Sequence, residues 1–177
     1  MVGAPQAGGS VLMLNNFFTG VKADTHDAMA WQIGDHGFEM RLSPQVPRHV
    51  GAVAAPALAQ LLDGRPRPQF WALHPGGRAI LDRLRDVFDL NDQQMAANYH
   101  VLRHYGNMSS PTILFVLNEH FKQLRNLARE EPCDGIAVAF GPGLVTEMAH
   151  LTYMPEIVLE IPRSSAVGVS WDGRHVA

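Results

Sequence analysis

The chain has 177 residues, 46% of them hydrophobic and 18% charged, with a formal charge of -3. That length fits one domain, and the composition excludes disordered, collagenous and coiled-coil chains. The slightly acidic balance leaves no chain-wide basic field, so neither nucleic acid nor an anionic membrane is expected as a partner.

A single cysteine, Cys133, excludes an internal disulfide and a cysteine-based zinc cage, and suits a reducing compartment. The first lysine or arginine is Lys22, so the positively charged start of a secretory signal is missing. The longest apolar runs, 51–62 and 111–117, fall short of the roughly 20 residues needed to cross a bilayer. These features lead us to expect a soluble, cytoplasmic protein.

Residues 1–10 are rich in Gly, Ala and Pro and read as a flexible lead-in. Val11–Thr19 reads as a short buried strand, with Asn15 and Asn16 breaking its alternation. A polar stretch with Asp24, His26 and Asp27 follows, then Trp31 and Ile33. Residues Gly37–Leu42 alternate apolar and polar as a second strand. Pro47 opens a helix at a position where its missing N–H costs nothing. Val50, Val53, Ala57, Leu58 and Leu61 carry its face to about Leu62.

After a Gly- and Pro-bearing loop, Gln69–Leu73 reads as a buried strand that ends at His74-Pro75-Gly76-Gly77. Ile80, Leu84, Val87 and Phe88 mark the next helix. Another helix spans about Asp92 to His104, with Asn91 and Gln94 spaced as a capping box. The run 105–110 interrupts it. Ser109 or Ser110 is expected to cap a further helix, with Pro111 in its first turn and its end near Glu130. Asp134-Gly135 reads as a turn, Ile136–Phe140 as a buried strand, and Gly141-Pro142-Gly143 as a corner. Leu144–Tyr153 reads as the last strand, with residues 154–161 as a possible extension. Residues 162–177 form a polar tail.

Three glycine-bearing corners have the chemistry to converge: HPGG (74–77), GNMSS (106–110) and FGPG (140–143). In α/β proteins ligands gather where strand ends and helix starts open outward. His74 alone reads either as a hydrogen-bonded strand-end histidine or as a reactive group. Asn107 alone reads either as a turn residue or as an amide donor. Together they are two donors suited to one developing oxyanion. No Gly-x-Ser-x-Gly elbow supplies a nucleophile, and no helix start follows Cys133 in the sequence to activate its thiol.

The segments FWALHPGGRAILD (70–82), LRHYGNMSSPTILFVL (102–117) and AFGPGLVTEMAHL (139–151) resemble the C-terminal domain of chalcone synthase-like type III polyketide synthases, and GDHGFEMRLSPQVP (34–47) resembles the stretch before them. The likeness runs from Val11 to Ile161, which makes residues 11–161 the domain. It implies an α/β, thiolase-like fold, C-terminal half, with helices packed on a mixed five-stranded sheet. It further implies an acyltransferase that condenses malonyl-CoA with an acyl-CoA starter. His74 and Asn107 match the family's catalytic histidine and asparagine. The family's cysteine nucleophile lies in the other half and has no counterpart here. The resemblance therefore implies a separate N-terminal-half chain, or a homo-oligomer, as partner. The substrates are coenzyme A thioesters and no further cofactor is expected.

Met40 matches a gate position that is often phenylalanine in the family. Gly76, Gly77 and Ala79 match the rim of the pantetheine tunnel, and Ser109, Phe140, Gly141, Pro142 and Gly143 the cavity wall. A catalytically incomplete CoA-ester-binding or dimerisation module, or a cysteine-independent malonyl-CoA decarboxylase, is the alternative.

Overall fold

Strands β1 (Val11–Val21), β4 (Phe70–Leu73), β5 (Cys133–Gly141) and β6 (Val145–Met154) make one mixed sheet in the order β1-β6-β5-β4. The computed structural model describes residues 9–127 and 130–155. Most of the lead-in, the strand extension past Pro155 and the polar tail lie outside the described residues. Strands β4 and β5 run parallel, and the other neighbours antiparallel. A parallel pair needs a long crossover. Here helices α2 (Arg78–Phe88), α3 (Asp92–Tyr105) and α4 (Thr112–Asn126) supply it. The hairpin of β2 (Met29–Gly34) and β3 (Gly37–Leu42) leads into helix α1 (Val46–Leu62). The α/β class is as expected, with four sheet strands among the described residues where the resemblance implies five.

Each face of the sheet carries its own packing. Trp71, Leu73, Ile136, Val138 and Met148 join Val50, Ala54, Leu81 and Leu84 of α1 and α2. On the other face Phe70, Leu151 and Tyr153 meet Leu124 of α4, and Ala72 meets Val101 and Val116. Being covered on both sides explains why β4 is apolar at every position rather than alternating. The capping box at Asn91 and Gln94 is present in both directions, at 2.9 and 3.1 Å.

Three expectations are corrected. Strand β1 is not buried: it is one of the two edge strands, and unlike β4 at the other edge it leaves Met13, Leu14 and Phe17 exposed. The pairing register shifts between Leu14 and Asn16, which accounts for the asparagines in the middle of the strand. Trp31 and Ile33 belong to a strand, β2, paired opposite Met40 and Phe38. Asp134-Gly135 is not a turn but part of β5, opposite Thr152 and Leu151.

Gly135 is required there by close approach. A Cβ at that position would fall 2.1 Å from the buried Phe70 ring. Gly135→Ala is therefore expected to cost about 1–3 kcal/mol. A urea melt with a lowered midpoint and an unchanged slope would report it; an unchanged midpoint would refute the packing argument.

Candidate functional site

His74 follows the last residue of β4 and is fixed by its backbone on both sides. Its N–H donates to the Val138 carbonyl at 2.8 Å, and its own carbonyl accepts from the Gly76 N–H at 2.9 Å. Burial pushes the imidazole pKa below its ordinary value, favouring the neutral ring. Gly77 then caps α2.

The second corner is built from the end of α3. Gly106 sits at φ 70°, a left-handed conformation that suits glycine, and its N–H closes the helix on Leu102 at 3.1 Å. Asn107 comes next. Its Oδ1 accepts the Ser109 N–H at 2.9 Å, which turns Nδ2 toward the HPGG corner. There Nδ2 donates to the Gly76 carbonyl at 3.3 Å. Ser109 and Ser110 do not cap α4 through their hydroxyls, as the sequence suggested. No side chain caps α4; instead Thr112 ties the preceding loop to the helix, its hydroxyl accepting the Met108 N–H and donating to the Ser109 carbonyl, both at 2.8 Å.

Gly76 is the meeting point of the two corners. A Cβ there would lie 3.8 Å from His74 Cδ2, while its carbonyl holds Asn107. An imidazole and a carboxamide thus converge on one glycine, and the carboxamide has one N–H beyond that used by Gly76.

The FGPG corner lies at the same end of the sheet, because Leu73 pairs with Val138 and residues 140–143 follow just beyond. It forms the turn between β5 and β6, with Gly143 at φ 76°. Gly77 and Ala79 open α2 beside the HPGG corner, and Ser109 is exposed at φ 63°. Met40 is set apart on the hairpin, 49% exposed rather than part of the core. The hairpin reaches the site region through β2, which packs against the Pro142–Leu144 turn.

Cys133 begins β5, five residues before the Val138 that pairs with Leu73. At about 3.3 Å per residue it lies roughly 16 Å along the strand from the His74 end. It is buried among Phe70, Leu124, Leu151 and Tyr153.

Two residues near the site were not singled out by sequence. Asn98 is fully buried: its Oδ1 accepts the Leu73 N–H at 2.7 Å, and its Nδ2 donates to the Trp71 carbonyl at 2.9 Å. His120 Nε2 bonds the same carbonyl at 2.9 Å. A carbonyl only accepts, so Nε2 carries the proton. The available signal was a polar residue at a core position of each helix face: Met95, Asn98 and Val101 on α3, and Val116, His120 and Leu124 on α4.

Burial lowers the His120 pKa to about 4. Between pH 6.5 and about 4 the unfolded chain binds a proton that the folded chain refuses. Its contribution to stability is therefore complete above pH 6.5 and is lost as pH falls through that window. His74, shifted in the same direction, acts with the same sign. Unfolding free energy is expected to drop by about 2 kcal/mol from pH 7 to pH 5 through His120. His120→Leu should lower stability overall but flatten that slope; an equally steep slope would contradict the assignment.

The family profile of the chalcone and stilbene synthase C-terminal domain matches residues 17–155. The chain belongs to this family. Among solved structures it is similar to a fungal type III polyketide synthase, ORAS, at 32% identity over 80% of this chain and 41% of that one, with a TM-score of 0.70. PKS-I of the brown alga Ectocarpus siliculosus is 30% identical over 82% of this chain and 40% of that one, TM-score 0.73. The bacterial type III 1,3,6,8-tetrahydroxynaphthalene synthase of Streptomyces coelicolor A3(2) is 26% identical over 83% of this chain and 42% of that one, TM-score 0.74. The chain thus spans about two fifths of each of these three type III synthases. All three glycine corners of this synthase domain fall inside the matched residues. Among the described residues, no helix is long and apolar enough to cross a membrane, and no cluster of three or more His, Cys, Asp or Glu is arranged to hold a metal.

Proposed function

We propose that this domain supplies the histidine and asparagine half of a type III polyketide synthase active site. An N-terminal-half synthase chain supplies the cysteine. The observation that supports this reading is the Asn107 Nδ2 bond to the carbonyl of Gly76, two residues after His74.

The partner's cysteine thiolate attacks the carbonyl carbon of an acyl-CoA thioester. The oxyanion formed is held by His74 and Asn107 until the bond to the CoA sulfur breaks. Malonyl-CoA then loses CO₂, and the electrons of the broken C–C bond pass into an enolate. Its oxygen meets the same two donors. The enolate carbon attacks the cysteine-bound acyl group, and the thiolate leaves. Fixed donors aimed at a charging oxygen are the largest single contribution in such steps. A thiolate beside His74 would favour the imidazolium, offsetting the burial that keeps it neutral in this chain.

An apolar face on the hairpin supports the partner. Met29, Trp31 and Ile33 pair with Leu42, Met40 and Phe38, so all six share one face. Ile33 is 86% exposed and Phe38 74%. A contiguous patch of that kind marks a surface meant to be covered. Cys133, buried at the far end of β5 from His74, supports an external nucleophile because it lies out of reach of that corner.

The test mixes the full chain with an N-terminal-half chain bearing the cysteine, and follows acyl-CoA and malonyl-CoA into condensed product. Product only from the pair is expected. Condensation by this chain alone would overturn the division of labour, and CO₂ release without condensation would favour the cysteine-independent decarboxylase.

A further inference from the structure

We infer that Asn98 and His120 are positioning residues: by bolting α3 and α4 to the Trp71 carbonyl, they fix Asn107 relative to His74. This inference rests on the reading of His74 and Asn107 given above.

Strand β4 has a strand neighbour on one edge only, β5. In a parallel strand the odd and even residues turn their backbone groups to opposite edges. His74 N–H goes to Val138 on the β5 side. The Trp71 carbonyl and Leu73 N–H therefore face the other edge, buried and needing partners. The Asn98 carboxamide meets both, its oxygen on Leu73 N–H and its nitrogen on the Trp71 carbonyl. It stands in for the peptide group of a missing strand. His120 takes the second lone pair of the same carbonyl. The low pKa of His120 keeps it a neutral donor with no charge left over in the interior.

The consequence for the site follows from connectivity. Asn107 lies in the link between α3 and α4. Helix α3 runs unbroken from Asn98 to Tyr105, so the bolt sits about 10 Å along the axis from the helix end that leads to Asn107. Helix α4 grips the other side of the link, through Thr112 on Met108 and Ser109. Both helices that hold Asn107 are thus fastened to one carbonyl, three residues before His74. Sliding either helix along β4 would move Asn107 away from Gly76 while leaving both corners intact.

Two measurements test this. In the assembled synthase, Asn107→Ala is compared in the wild-type and His120→Leu backgrounds. Losing one oxyanion donor is expected to lower turnover about 100-fold in the wild type. In His120→Leu, where the amide is already misplaced, Asn107→Ala should cost under about 10-fold, and His120→Gln, which keeps a donor, should restore the full effect. Strictly additive losses would show that His120 matters only to stability and overturn the inference. In the full chain by itself, the side-chain amide resonances of Asn107 should shift in Asn98→Ala and His120→Leu but not in His120→Gln, with circular dichroism selecting folded variants. Unmoved resonances in folded His120→Leu would also overturn it. If no pairing yields turnover while the resonances shift as expected, the bolt stands and the proposed chemistry falls.

Discussion

Replacing His74 by alanine is expected to lower condensation by the assembled synthase about 1,000-fold or more. Two losses combine. One oxyanion donor disappears, which alone is worth about 100- to 1,000-fold. The partner thiolate also loses the imidazole that holds it charged, which lowers the population of the attacking form. The fold should survive, because the bonds at position 74 are made by backbone: N–H to Val138 and carbonyl from Gly76. A thermal melt close to wild type alongside lost turnover is the expected pair of results. Retained turnover would remove His74 from the mechanism, and a collapsed melt would make it a structural residue instead.

Trp71→Ala carries the largest expected effect on stability. The indole is fully buried, lies 5.0 Å from the Phe88 ring and donates its N–H to the Pro68 carbonyl at 3.2 Å. Truncating a buried aromatic of this size costs about 3–5 kcal/mol. For a chain of this length that corresponds to roughly 6–20 °C in melting temperature. Trp31→Ala is the matched control: Trp31 is 47% exposed on the hairpin, so its removal should change the chain's own stability by under about 0.5 kcal/mol. Equal losses from both would mean that burial at Trp71 has been misread. The Trp71 variant also bears on the site, since the Trp71 backbone receives Asn98 and His120.

What was legible in the sequence was local. Gln69–Leu73 declared a buried strand because Phe70–Leu73 each face a covered surface, only Gln69 lying exposed before it. Asn91 and Gln94 declared a helix start because a capping box lies within four residues of chain. The three glycine corners were visible as motifs, and each falls where regular elements end.

What was illegible depended on partners far along the chain. Asp134-Gly135 has the composition of a turn, and only the Phe70 ring and the Thr152 hydroxyl reveal why it is strand: the ring fills the place of a Cβ, and the hydroxyl donates to Asp134 at 2.6 Å. Val11–Thr19 looked buried because its apolar content is high, yet Met13, Leu14 and Phe17 at this edge of the sheet are exposed. Ser109 and Ser110 had the chemistry of caps, but no side chain caps α4, and Thr112 bonds back to the loop from inside the helix. Asn98 and His120 left a trace only as polar residues in apolar helix phases. Their common target, a single carbonyl on β4, is a three-dimensional fact.

The hairpin has one more consequence. Two strands alone are marginal in water, and this pair keeps six apolar side chains on one side. Its amides should therefore exchange with deuterium quickly in the unassembled domain and slowly once that side is occluded. The ladder from Met29 to Leu42 becomes a built-in gauge of docking, readable without any substrate and before any bond is made.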